Sequence, residues 1–509
     1  MSSNGNLSKE LSVVIAGGGI GGLFTGAFLA RNGVKVTVLE KNMIIGGGLQ
    51  CFRREGKLYE TGMHVMGGFE EGGNLLKICR YLGIIDRLDI QHVDPECMDE
   101  IRYEKSGDVY RIPSGREAFI AKMSEYFPDE SQGIKEYVGK LMELTEEMPL
   151  FYLREGVQPE PPHSEDFSMP ADQLIARYVS DPKLREILAY LNPLYGGRAG
   201  HTPAYIHALI NVLYLNGASR FVGGGQQLAD ALAGVIRSNG GEVIAGCEVS
   251  GFEVADREIQ GVVTADGRKF TADRYVSAIH PVEMLRLMPS GTFPKAYSSR
   301  LETIPNSCSA FSLYIDLKPG MFPYIGHTCY YMEDYGSMWN QEDYDGDDWP
   351  RSFMYMTPSE PNQGEYAGKL LVHSLMSFDR VRKWESTSVG HRGNDYEQWK
   401  EERAGRIISR LERIYPGIRG MIARVYSSSP LTVRDYYHTK EGAIFGYRKD
   451  SDNLIYSQLP VRTKVKNLLL TGQNVNLHGM CGVPLTAIYT AEAILGRGSL
   501  IKAINNAAD

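Results

Sequence analysis

Three glycines at a fixed spacing, and one acid beyond them, are the residues in this chain whose types could do chemistry together. Gly17, Gly19 and Gly22 follow the apolar run Val13-Val14-Ile15-Ala16, and Glu40 stands 18 residues after Gly22. Such a set grips a dinucleotide. Gly17 permits a tight turn, Gly19 lets the backbone approach a diphosphate, and Gly22 lets helix and strand pack closely. Ile20 and Gly21 open the helix, whose unpaired N–H groups and partial positive charge then face the phosphates. An acid near this offset accepts hydrogen bonds from a ribose hydroxyl.

These residues act as a unit only if strand, turn, helix, strand and acid come in that order, and they do. Gly26, Ala27 and Ala30 continue a small-residue helix. After Asn32-Gly33, the run Val34–Leu39 reads as a second strand ending on Glu40 and Lys41. The alternative, a glycine-rich turn in an unrelated βαβ unit, does not call for the acid.

The whole chain sets outer bounds. Its 509 residues are too many for one hydrophobic core, so two domains are expected. A content of 43% apolar and 23% charged residues suits a soluble globular protein. The formal charge of −8 gives no global attraction to nucleic acid, which is not expected as a partner. Seven cysteines, an odd number with no C-x-x-C pair, point to a reduced compartment and no metal site. Residues 11–30 are nearly free of charge, but the glycine motif explains them better than a membrane helix does. No other apolar run reaches the ~20 residues of a span. The expectation is a cytoplasmic protein that could rest on a membrane surface.

Between Asn74 and Asn216 the periodicity reads mostly helical, with Ser114 as a cap for the run Arg116–Phe127. The segment 158–162, QPEPP, reads as a loop. His201 and His207 are six apart, the wrong spacing for a metal pair on one helical face. Gly223 and Gly225 precede a helical run but lack a third glycine and a following acid, so no second nucleotide site is expected. From Met284 to Tyr456 the pattern favours strands with long loops, including an acidic loop from Glu342 to Asp348.

A second glycine cluster, Gly46-Gly47-Gly48-Leu49-Gln50, is followed by Glu60-Thr61-Gly62-Met63-His64. Together with Asp435-Tyr436-Tyr437, Gly442–Gly446 and the closing Thr471-Gly472-Gln473-Asn474, this resembles the flavoprotein group of phytoene desaturases, carotenoid isomerases and all-trans-retinol saturases. Glu60–His64 looks most like the saturase branch. The resemblance implies FAD and an α/β fold. A discontinuous, amine-oxidase-like, Rossmann-type FAD-binding domain would span 10–80, 217–283 and 457–505. A second, mixed α+β substrate domain would span 81–216 and 284–456. It also implies that Gly47, Gly48 and Leu49 approach the second phosphate and ribityl chain, and that Thr61, Gly62, Met63 and His64 lie against the flavin. The backbone of Val249 would touch adenine. Gly472 and Gln473 would lie near the phosphates, with the Gly482, Val483 and Pro484 helix start under the ring. Many relatives carry Arg or Ser where this chain has Gly48, so backbone N–H groups could replace an arginine there.

A flavin carries the redox chemistry, and the protein supplies binding, geometry and exclusion of water. The resemblance implies a long apolar isoprenoid, retinoid or carotenoid substrate that is saturated, desaturated or isomerised at a C=C bond. Saturation also needs a proton donor. His64 is the first candidate to deliver that proton or polarise the ring edge; a hydrogen bond to its own turn is the alternative. His478 and Cys481 are further candidates, read mainly as packing residues. No second dinucleotide motif is present, so the electron donor or acceptor stays open. Two rival readings are an amine-oxidase-type enzyme attacking a C–N bond and a non-enzymatic prenyl-binding escort on the same scaffold.

Overall fold

In the computed structural model, which describes residues 11–62, 65–156, 162–339, 341 and 348–507, the opening motif folds into strand, turn and helix. Strand β1 (Ser12–Ala16) leads through the glycine turn into helix α1 (Ile20–Arg31), and the chain returns as β2 (Lys35–Leu39). The β1 residues Val13, Val14, Ile15 and Ala16 are all buried, as a strand covered on both faces requires. Ten of the twelve α1 residues are buried too, so small side chains are needed all round that helix.

Three further strands complete a parallel sheet: β3 (Glu242–Ile244), β4 (Arg274–Ser277) and β5 (Leu468–Leu470). Their spatial order is β5-β4-β1-β2-β3. Helix α2 (Gln226–Ser238) packs beside α1, and helix α3 (Gly479–Leu495) follows β5 and packs on α1 as well. Close packing has a local cause: a Cβ on Gly26 would lie 2.9 Å from Ile236 of α2.

A mixed seven-stranded sheet stands apart from this layer. Its order is 422–428, 309–317, 369–376, 352–356, 328–332, 99–103 and 109–112. Two differences from the sequence reading arise here. The strands Asp99–Tyr103 and Val109–Ile112 lie in the stretch read as mostly helical. Asp99–Tyr103 pairs in parallel with Thr328–Met332, a contact that local periodicity does not encode. Conversely, Asn394–Ile414 is a 21-residue helix within the stretch read as strands and loops. Only Tyr396, Ala404, Ile407 and Leu411 are buried on it, and that thin stripe is hidden among charges. Ser114 does not cap its helix either; Gly115, at φ +92°, takes the N-cap position of Arg116–Tyr126. Residues 158–161 and 342–347, within the two expected loops, lie outside the described residues.

Candidate functional site

The three glycine turns meet at one point. Gly17 has φ +107°, open to glycine at little cost, and its N–H donates to Leu39 O at 2.8 Å. Gly22 is held by contact: a Cβ there would lie 2.0 Å from Gly17 O. Gly19 bridges to Gly46, and Gly46 N–H donates to Gly18 O at 2.8 Å. A Cβ on Gly21 would come within 2.8 Å of Gly472 Cα. These contacts surround the start of α1, which has no side-chain cap, so its first N–H groups are left for a ligand.

Glu40 closes the turn from the side. Its Oε2 accepts from Gly18 N–H at 2.7 Å and its Oε1 from Asn42 N–H at 2.8 Å. Burial raises its pKa, while the two backbone N–H groups and Lys41 pull it back. Lys41 is tied to Glu248 at 2.7 Å, next to Val249. Across the gap, Tyr437 O–H donates to Thr61 Oγ1 at 3.2 Å and stands 2.6 Å from where a Gly62 Cβ would be.

A cavity of about 550 Å³ runs through this meeting point. Its wall includes Gly17, Gly19, Ile20, Gly21, Glu40, Lys41, Gly47, Gly48, Thr61, Gly62, Val249, Gly472, Gln473, Gly482 and Val483. The fold therefore brings together residues spread from position 17 to 483. Gly22, Leu49 and Pro484 do not line it; all three are buried behind the wall, where they support it. Met63 and His64 lie outside the described residues.

The cavity continues into an arm that sequence reasoning missed. Ile206, Leu209, Ile210, Leu213 and Tyr214, all on the helix Ala204–Leu215, form one wall. Ala310, Ser312, Met354, His373 and Leu375 of the seven-stranded sheet form another. The helix was detectable as unusually apolar, but a buried core helix has the same signature. Among the described residues that line the cavity, the acids are Glu40, Glu248 and Glu283. Lys41 links Glu40 to Glu248, and Glu248 and Glu283 both act on the charge of His438, so all three stand at the glycine end.

Of the histidines weighed from sequence, His207 is fully buried between Tyr137 O–H at 2.6 Å and Tyr195 O–H at 2.8 Å, a structural position. His201 lies 3.3 Å from Asp450. His478 is part of the cavity wall, its Nε2 buried without a hydrogen-bond partner. Cys481 is also in the wall, its sulfur accepting from Asn74 Nδ2 at 3.1 Å. Glu100, His327 and Cys329 also cluster, but Arg102 and Arg111 already donate to Glu100, a cationic setting that opposes a metal ion.

A family model described as flavin containing amine oxidoreductase matches residues 20–495. The chain is similar to the all-trans-retinol 13,14-reductase of Danio rerio, 26% identical over 543 residues that cover 98% of this chain and 88% of that protein. It is similar to the chloroplastic prolycopene isomerase 2 of an Oncidium hybrid cultivar, 24% identical over 461 residues, 86% of this chain and 75% of that one. Among solved structures, an oxidoreductase from Methanosarcina mazei shares the fold, with a TM-score of 0.64, 18% identity and coverage of 95% and 100% of the two chains.

Proposed function

The chain belongs to the flavin containing amine oxidoreductase family and its cofactor is FAD; from that premise we propose that it saturates, desaturates or isomerises a C=C bond of an apolar, isoprenoid-type substrate. The observation that carries this reading is the continuity of one cavity, glycine-lined at one end and mostly apolar in the arm. The relatives named for all-trans-retinol and prolycopene support the substrate class.

The residues present fit the cofactor. Space is open above Gly19, where the nearest atom to an added Cβ is 3.9 Å away, and the uncapped start of α1 faces it. Gly17–Gly22 would hold the diphosphate, Glu40 a ribose, and the Thr61-Gly62 turn with Tyr437 the region beyond. When bound, the flavin supplies hydride acceptance or donation. The protein's part is to orient the chain of the substrate along Leu209, Ile210 and Leu213 and to keep water out.

An amine substrate is the weaker reading. Its ammonium would find no carboxylate in the apolar arm among the described residues, since the acids stand at the glycine end. An escort without a cofactor leaves the close-packed glycine turns unexplained. Reduced protein mixed anaerobically with all-trans-retinol or a poly-cis carotene decides the matter. A gain of H2 in mass, an absorbance shift at constant mass or, with the oxidised enzyme, a loss of H2 is the expected result. Peroxide release by the oxidised enzyme in air on adding amines, with both polyenes unchanged in the anaerobic reaction, would reverse the assignment.

We propose further that the enzyme is cytoplasmic and rests against a membrane surface, where so apolar a substrate partitions. No single helix among the described residues is long and apolar enough to cross a bilayer. Failure to co-sediment with phosphatidylcholine vesicles would count against surface contact.

A further inference from the structure

Tyr437 closes the helix Pro430–Tyr437, which packs on the Gly47–Leu49 turn and on the strands 309–317 and 422–428 of the seven-stranded sheet. It stands where the glycine end of the cavity gives way to the arm, and it is a partly exposed part of the wall. Its hydroxyl oxygen lies between two glycines of that wall, 2.6 Å from where a Gly62 Cβ would be and 3.7 Å from where a Gly48 Cβ would be. The helix end is pinned to the glycine layer, since Tyr436 O accepts from Asn42 Nδ2 at 3.0 Å.

The proton of this hydroxyl has one place to go. Gln50 O accepts twice from Thr61, from its N–H at 3.1 Å and from its Oγ1–H at 2.9 Å. Thr61 has no second hydroxyl proton, so its Oγ1 meets Tyr437 as an acceptor, and the 3.2 Å bond between them uses the Tyr437 proton. No N–H or O–H among the described residues donates to the Tyr437 oxygen in return. Burial pushes the phenol up, with the Thr61 bond only partly offsetting it, so it stays neutral. Tyr437 thus offers the cavity a lone pair and not a proton.

The lone pair lies toward the arm. Thr61 O accepts from Tyr314 O–H at 3.4 Å, and Ala310 and Ser312, on the same face of that strand, line the arm. Hydride must pass between ring and substrate on this side. The N5 position of oxidised flavin is an acceptor, which a lone pair repels; reduction adds a proton there, which a lone pair welcomes.

We propose that Tyr437 is the acceptor for an N–H that only the reduced flavin carries, and that Thr61, by taking the Tyr437 proton, is the positioning residue that keeps it an acceptor. The pair tilts the cofactor toward its reduced form, the one that donates hydride. The proposal rests on the FAD and hydride-transfer reading above and deepens it.

Midpoint potentials test it without any substrate. FAD-loaded wild type and variants are reduced anaerobically with dithionite against reference dyes. Tyr437→Phe keeps the ring and deletes the lone pair. Its reduced form should be disfavoured about 10-fold, a fall of about 30 mV for a two-electron couple, with the affinity for oxidised FAD kept. Thr61→Val frees the Tyr437 proton to meet the oxidised ring, and the potential should fall at least as far. The double variant should match Tyr437→Phe, because Thr61 acts through Tyr437. Melting curves report the folding of each, and Tyr437→Phe alone decides if Thr61→Val does not fold. An unchanged or raised potential in Tyr437→Phe, or a double variant lower than Tyr437→Phe, overturns the assignment and leaves the FAD reading standing. Wild-type protein that holds no FAD takes both down.

Discussion

Two alanine substitutions three residues apart should separate the two roles of the opening turn. At Gly22 a Cβ would lie 2.0 Å from Gly17 O, where ordinary contacts begin at 3.4 Å, so the turn must open by more than an ångström. Such overpacking costs about 3 kcal/mol and several degrees of melting temperature, with or without flavin. At Gly19 the backbone has φ −74° and ψ −178°, suitable for any residue, and an added Cβ has only Gly47 Cα within reach, at 3.9 Å. Gly19→Ala should therefore fold and melt like the wild-type apoprotein. Its methyl group, however, stands where the diphosphate must approach, and FAD affinity should fall about 10- to 100-fold, or about 1.4–2.7 kcal/mol. Circular dichroism melting of both apoproteins and quenching of FAD fluorescence on titration measure the two quantities. If Gly19→Ala binds FAD like wild type, or Gly22→Ala melts with it, the assignment of the turn is wrong.

Glu40→Gln should weaken FAD about 10-fold by flavin titration, and unchanged affinity would remove Glu40 from the ribose site. Because burial raises the Glu40 pKa, wild-type affinity should also decline on acidification at a higher pH than a free carboxylate would give. Leu209→Trp, which fills the apolar arm, should leave flavin content intact and cut polyene conversion about 10-fold or more; unimpaired turnover would place the substrate elsewhere. Asp99 is pushed up to about 7 by burial, offset by hydrogen bonds from Tyr190 and Thr328 and by Arg220. Its contribution to stability is thus full below about pH 4 and is lost as pH rises to about 7. The melting temperature of Asp99→Asn minus that of wild type should accordingly climb across this window, and a flat difference would contradict the raised pKa.

Much of the cofactor layer was legible because its signals are local. The run into Gly17, the spacing to Glu40, the helix after Gly225 and the strand Leu468–Leu470 each carry their own periodicity or turn chemistry. The substrate layer was less so. Asp99–Tyr103 becomes a strand by pairing with a segment far along the chain, and Asn394–Ile414 hides its four buried residues among charges. The site divides in the same way. Glycine turns declare themselves, whereas Leu209 and Ile210 look like any core residue until the fold opens a space beside them. Tyr437, within Asp435-Tyr436-Tyr437, carries no sign of its partner, and only tertiary packing sets it against Thr61.

The strand order β5-β4-β1-β2-β3 sets a timetable for synthesis. Until Leu468–Leu470 leaves the ribosome, Tyr275–Ser277 offers an unpaired edge, the sort of surface on which nascent chains stick to one another. Gly472, which packs on Gly21, arrives later still. Flavin capture is consequently among the last events of biogenesis, and stalled nascent chains ending before residue 468 should release FAD on washing, while full-length chains keep it.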